Sequence, residues 1–368
     1  MNKAKRTKIQ AQAPGKLFIA GEYAVVDGAP AIIVAVDRYL KVTVTPTDAT
    51  GSLTSSQQPD LSFSWTRQAG RIVFSQHQPF TLVATAMQMA EAYLSDCGIS
   101  VTDEVYALQI ESDLDDEITG QKYGLGSSGA VTVAVIRAIL TYFGQLAPAL
   151  LVYKLAVLTQ LKLQLKGSFG DLAASSFGGW IAYRRPDKAW LLRAMAEQTI
   201  QQITDQVWPD LQVESLSLPA ELKLLVGWTK SVASTEDLVG QMQQALSEED
   251  KIQVHQDFLA KSHSCVDSLM AGFKRGDKNA ILAGLRQNRQ TLQAYAKRVG
   301  FVIETPALVS LMALAEEAGA ASKTSGAGGG DCGICLIETP EQEAKIRLAW
   351  KRAGILPLDL TPAKPLYL

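Results

Sequence analysis

A chain of 368 residues, 47% hydrophobic and 20% charged, is long enough for about two domains and carries no bias toward disorder, collagen or coiled coil. Its 35 Lys and Arg against 37 Asp and Glu give a formal net charge of -2, so there is no global electrostatic case for nucleic acid or an anionic membrane, and a small-molecule ligand is favoured. No apolar run approaches the roughly 20 residues of a membrane span, the basic N-terminus lacks a signal-peptide core, and 4 cysteines are too few for a disulfide framework, which predicts a cytoplasmic protein with free thiols.

The chain opens with strands: residues 8–13 alternate polar and apolar, and apolar segments 17–20 and 31–36 flank a turn at Asp27-Gly28. The polar stretch 46–80 still alternates at Leu61, Phe63 and Trp65, which predicts an added hairpin. Residues 80–94 have helical spacing, a strand follows at 105–110, and an acidic loop then leads to Gly124-Leu125-Gly126-Ser127-Ser128-Gly129 before the apolar helix 130–143. A Gln-rich helical stretch ends in Ser217-Leu218-Pro219, and the domain boundary is set between residues 205 and 206, giving units 1–205 and 206–368. The second half holds long helical patterns from 248 to 299 and two helices announced by Thr305-Pro306 and Thr339-Pro340, with Gly319 and Gly354 at their far ends. Strands and helices are segregated rather than alternating as βαβ units, so the predicted class is α+β.

The loop from Gly124 to Gly129 suits a phosphate, because glycines admit close backbone approach and the first N–H groups of the following helix lack intrahelical partners. Ser127 and Ser128 offer hydroxyls to a phosphate or Mg²⁺, or alternatively cap a buried helix. The segment satisfies G-x-G-x-x-G, yet no Asp or Glu occurs from 118 to 170 to hold a ribose and no Gly-Lys-Ser/Thr ending follows, which argues against both a Rossmann and a Walker loop. Asp171, the first carboxylate after that interval, sits in Gly167-Ser168-Phe169-Gly170-Asp171; it either orients or deprotonates a nucleophile, held ionised by cationic neighbours, or caps a helix. Lys16 follows Pro14-Gly15 and is either a point charge for phosphate or a solvated lysine. Ser325-Gly326-Ala327-Gly328-Gly329-Gly330-Asp331 is a second dense glycine loop, a flexible connector or a place of close approach to substrate. Cys332 and Cys335 fall on opposite faces of the strand assigned there, and His255 and His263 lie about 12 Å apart along a helix, so neither pair suits a metal.

Taken in order, Ala13-Pro14-Gly15-Lys16 with Gly21-Glu22-Tyr23, Gly124 to Gly129, and Lys323 to Asp331 resemble the three motifs of the GHMP kinase superfamily over nearly all of the chain. Within it, Lys122-Tyr123-Gly124, Gly167 to Asp171 with Gly178-Gly179-Trp180, and the segment from Val226 to Thr235 are similar to the bacterial phosphomevalonate kinases. The resemblance implies an N-terminal α+β domain, a C-terminal ferredoxin-like α/β sandwich, a cleft between them, and ATP-dependent conversion of 5-phosphomevalonate to 5-diphosphomevalonate in the mevalonate pathway. It implies catalytic roles for Lys16 and Asp171, nucleotide binding by Lys122, Gly124, Leu125, Gly126, Ser127, Ser128 and Gly129, and Mg²⁺ near Ser128. Glu22, Tyr23, Ser168, Gly326, Ala327 and Gly328 are implied at the substrate, in a monomer or homodimer. Two departures stand out: mevalonate kinases carry a metal-binding glutamate that residues 118–170 do not supply, and Lys230 replaces the usual glycine after Trp228-Thr229. The runner-up is another kinase of the superfamily, such as mevalonate or homoserine kinase; a ligand sensor that retains the fold is disfavoured because Lys16, Ser128 and Asp171 are all kept.

Overall fold

A computed structural model describes residues 6–116, 118–230 and 248–366. The opening alternation becomes β1 (Ile9–Ala20), which pairs antiparallel along β2 (Ala31–Thr47). The polar insert forms β3 (Gly51–Ser55), β4 (Gln58–Gln68) and β5 (Arg71–Phe74), a three-stranded extension rather than a lone hairpin. With β6 (Val105–Ser112), β7 (Trp180–Arg184) and β8 (Gln212–Leu216) these strands complete an 8-stranded sheet in the order β5-β4-β3-β6-β2-β7-β8, β1 lying beside β2.

Four helices build on this sheet: α1 (Thr81–Asp96), α2 (Ser127–Tyr142), α3 (Ala149–Lys162) and α4 (Gly170–Phe177). Helix α2 is apolar on nearly every side because β1, β2, α1, α3 and α4 all pack against it. Its N-terminus is thereby held rigidly at the strand β1 that carries Lys16. Helices α5 (Lys188–Glu197) and α6 (Ile200–Asp205) follow, and the Gln-rich stretch then leaves the helical state for edge strand β8, where Gln-Val-Glu-Ser-Leu alternates against β7.

The second sheet contains β9 (Lys223–Trp228), β10 (Ala321–Thr324), β11 (Cys332–Ile337) and β12 (Leu356–Leu358), in the order β10-β11-β9-β12. This is the antiparallel order of a ferredoxin-like sandwich. Helices α7 (Glu248–Arg275) and α8 (Lys278–Val299) contribute Val266 and Leu285 to the core that spans both sheets. Helices α9 (Pro306–Glu317) and α10 (Pro340–Arg352) seal the other face with Leu311, Met312 and Trp350. The strands between are buried on both faces, as their continuous apolar runs require. Cys332 joins the first core and Cys335 the second, the opposite-face placement expected of an odd spacing.

Thr305 and Thr339 cap α9 and α10 with Pro at the first turn, and Gly319 and Gly354 adopt left-handed φ beyond the C-termini, as the sequence signals predict. The first sheet continues through Leu216, past the expected boundary at 205/206, because β8 needs β7 as its partner. Residues 361–363 return to the first domain, where Asp37 N–H donates to Thr361 O at 2.9 Å and Ala363 N–H to Ala35 O at 2.9 Å. Among the described residues no helix is long and apolar enough to cross a membrane.

Candidate active site

The site begins at an irregularity in β1, whose register against β2 shifts between Pro14 and Gly15. A methyl group built on Gly15 would lie 2.9 Å from Leu114 Cδ2 and 3.0 Å from Leu125 O, so only glycine lets the 124–129 loop rest on the strand. Lys16 N–H then donates to Leu125 O at 2.8 Å, and its ammonium donates to Gly124 O at 3.3 Å. Gly126, at φ 81, both supplies the left-handed turn and leaves room for the Lys16 stem, whose Cε would lie 2.9 Å from a Cβ there. Strand and loop thus deliver one cation to the mouth of a helix.

That helix, α2, has Gly126 as its N-cap, so Ser127 and Ser128 are its first two helical residues rather than the cap. A cavity of about 240 Å³ opens beside them, lined by Lys122, Ser127 and Ser128 together with the apolar side chains of Phe80, Val83 and Val131. Ser55 and Gln57 from the polar insert complete it, which places the insert at this cavity. A helix N-terminus with hydroxyls and a lysine suits a polyphosphate, and the apolar lining suits a flat base. No sequence signal marked Ser55 or Gln57, because their approach depends on β3 pairing with β6.

Asp171 reaches the same loop from α4. The N-cap of α4 is Phe169 at φ 61, so Asp171 lies in the first turn, where its carboxylate accepts from its own N–H and that of Leu172. A methyl on Gly129 would sit 2.6 Å from Asp171 Oδ2, which makes that glycine a condition of the contact. Burial is the largest influence and raises the Asp171 pKa; Lys16 and the two backbone donors pull it down without cancelling the rise. The cationic neighbour expected beside Asp171 is Lys16, and its pull toward the ionised form is set against a larger effect of desolvation. Ser168 supports this corner through its Oγ, which accepts from Gly170 N–H at 3.3 Å, and its carbonyl, which accepts from Tyr183 Oη at 2.7 Å.

The second glycine loop closes the other side. A methyl on Gly326 would lie 4.0 Å from Lys16 Nζ, and Gly329 N–H donates to Ile303 O at 2.9 Å, pinning the loop near Gly328. Tyr23 donates its hydroxyl to the Ala327 carbonyl, so two residues expected at the substrate touch one another. Burial, then the charge of Glu22, push the Tyr23 phenol up to about 12, which keeps it a donor at neutral pH. Glu22 is 3% exposed and ion-paired through Oε1 with Lys323, so one of its carboxylate oxygens joins the two domains. Asp331, within the third motif but given no role by sequence reasoning, packs its carboxylate against Gly124.

The remaining cations separate clearly. Arg184 and Arg185 donate to the Gly28 and Val26 carbonyls, and Arg137 to Gln12 O at 2.7 Å and Ser176 O at 3.1 Å, so these three hold backbone. Lys230 is exposed and has φ 58, a left-handed conformation that glycine adopts more readily than lysine. Residues 231–235 of that motif lie outside the described residues. His255 bonds Tyr295 and Asp27 while His263 pairs with Asp267, and among the described residues no group of three or more His, Cys, Asp and Glu side chains is placed to hold a metal ion.

Comparison with known proteins bears on this geometry. Residues 81–179 match the model of the GHMP kinases N terminal domain, and residues 269–356 that of the GHMP kinases C terminal domain. The chain is 40% identical to a phosphomevalonate kinase of Streptomyces sp. (strain CL190), over 99% of both chains. A Listeria innocua protein of solved structure superposes with a TM-score of 0.88 at 35% identity, covering 98% of this chain and 99% of that one. The Streptococcus pneumoniae phosphomevalonate kinase in complex with phosphomevalonate and AMPPNP superposes with a TM-score of 0.81 at 27% identity, covering 96% and 99%.

Proposed function

The chain belongs to the GHMP kinase family, and from that premise we propose that it transfers the γ-phosphoryl group of ATP to 5-phosphomevalonate, forming 5-diphosphomevalonate in the mevalonate pathway. The observation that carries this reading is the convergence of Lys16, Asp171 and the start of α2 on one glycine loop. Full-length similarity to a phosphomevalonate kinase supplies the acceptor.

In this reading the triphosphate lies along Gly124 to Gly129, against the free N–H groups of α2, with the base in the cavity that Lys122 helps to line. A phosphate acceptor has a second pKa of about 6 and is largely dianionic at neutral pH, so it attacks without a strong general base. Its oxygen bonds to Pγ, the bond from Pγ to the bridging oxygen breaks, and ADP leaves with the electron pair. Lys16 neutralises charge on the transferring group, and Asp171 orients Lys16 and the acceptor. Tyr23 and the 326–328 backbone border the acceptor side, with Ser168 behind Asp171. Ser128, exposed in the first turn of α2, fits a hard cation completed by phosphate oxygens and water. Mg²⁺ bound there would neutralise charge between the β- and γ-phosphates. A cytoplasmic monomer or homodimer belongs to the same reading.

The deciding experiment measures Mg²⁺- and ATP-dependent ADP release with mevalonate, 5-phosphomevalonate and homoserine as acceptors. Turnover confined to 5-phosphomevalonate is expected; a preference for either alcohol would overturn the assignment.

A further inference from the structure

The second glycine loop ends in Asp331, which is held in the left-handed region at φ 53. Its backbone is fixed there: the Asp331 carbonyl accepts from Thr229 N–H at 2.9 Å and from Thr229 Oγ1 at 3.1 Å. The next residue, Cys332, donates its thiol to Tyr123 O at 3.1 Å. The end of one glycine loop is therefore stitched to the start of the other. At that seam the Asp331 side chain lies so near Gly124 that a methyl group there would stand 2.6 Å from Oδ2. The carbonyl of the same Gly124 accepts from the Lys16 ammonium at 3.3 Å.

We infer that Asp331 is a positioning residue for Lys16, acting from the C-terminal domain through its contact with Gly124 and through its charge. Asp171 packs on Gly129 at one end of the phosphate loop, and Asp331 packs at the other on Gly124, the residue whose carbonyl accepts from the Lys16 ammonium. A lysine carries a flexible four-carbon stem, and the hydrogen bond from the Lys16 ammonium to Gly124 O is long, at 3.3 Å. A carboxylate fixed against Gly124, whose carbonyl holds the ammonium, narrows that freedom, and phosphoryl transfer is sensitive to the placement of the neutralising cation. The electrostatic link is already visible in Asp331, whose pKa is raised by burial and drawn back by Lys16. Asp331 also ties the alignment of Lys16 to the seating of the second domain, since its backbone is anchored to Thr229 beyond β9.

The inference rests on the reading of Lys16 as a catalytic cation, and its test is arranged to separate the two. In the full chain, Asp331→Asn and Asp331→Gly both remove the carboxylate while keeping a residue that tolerates left-handed φ. For both variants kcat with 5-phosphomevalonate should fall about tenfold or more, with KM for ATP changed less than about threefold and Tm within about 2 °C. Acetylation of Lys16 by acetic anhydride, followed by mass spectrometry, should accelerate about threefold or more as the side chain is released. Unchanged Lys16 labelling in folded variants would overturn the inference whatever the kinetics. Loss of ATP binding together with a large fall in Tm in both variants would overturn it too, by making Asp331 a structural residue. If the wild-type chain fails to turn over 5-phosphomevalonate, the substrate reading falls, and Lys16 labelling still decides the role of Asp331.

Discussion

Glu22 at the end of β1 and Lys323 in β10 meet as an ion pair across the two domains, 3% and 0% exposed. Lys323 also donates to the Thr324 carbonyl at 2.6 Å, whereas Glu22 Oε2 has no partner among the described residues. Breaking a buried pair strands the remaining charge, so Lys323→Met should lower the unfolding free energy by about 3 to 5 kcal/mol. Urea denaturation followed by tryptophan fluorescence measures this. A loss below about 1 kcal/mol would place the pair in a much wetter environment than its burial indicates.

Lys16→Met keeps the length of the stem and removes the ammonium that Gly124 O accepts from. A preorganised charge of this kind is worth about 10²- to 10³-fold in rate, so kcat should fall by that factor while the calorimetric affinity for an ATP analogue changes little. An unaltered kcat would remove Lys16 from the mechanism.

Gly129→Ala tests the packing of Asp171 on the loop, because the added methyl would stand 2.6 Å from Oδ2 and the carboxylate must move. Displacements of about 1 Å near a reacting centre cost about 10²-fold, and kcat should drop accordingly with the fold intact by circular dichroism.

Asp171 has a pKa raised chiefly by burial. A carboxyl whose folded pKa exceeds its unfolded value holds its proton more tightly when folded. Ionised at neutral pH it subtracts from stability, and the penalty fades as pH falls through the folded pKa and is gone below the unfolded one. Asp171→Asn should therefore raise Tm at pH 7, with the difference closing by about pH 3, while kcat falls about tenfold or more. A lower Tm for the variant at pH 7 would show that Lys16 and the backbone donors outweigh burial.

Lys230 adopts φ 58, which a glycine takes without a steric penalty. Lys230→Gly should leave stability unchanged or improve it by up to about 1 kcal/mol, set against the greater chain entropy of glycine in the unfolded state. Paired urea titrations of the two proteins give the difference.

Much of this site is written in short segments. The glycines of 124–129, the apolar run that must become a buried helix, and the threonine-proline starts of α9 and α10 are local backbone chemistry, readable because φ preferences and capping act over a few residues. The motif order extends that reading to the family, and Lys16 and Asp171 do meet at one loop.

Other features needed the folded chain. β8 formed where the composition read as the end of a helical stretch, because the free edge of β7 offered a partner that local propensity does not register. Glu22 was drawn to Lys323, 301 positions away, and Tyr23 to Ala327, 304 positions away, through a domain contact no local pattern encodes. The sequence by itself determined the glycine loops, the helix starts and the chemical inventory, since these follow from each residue's own conformational and bonding capacity. Only the tertiary structure decided which carboxylate enters an ion pair and which are pushed toward the neutral form by burial and drawn back by Lys16, because burial and charge are properties of the whole packed environment.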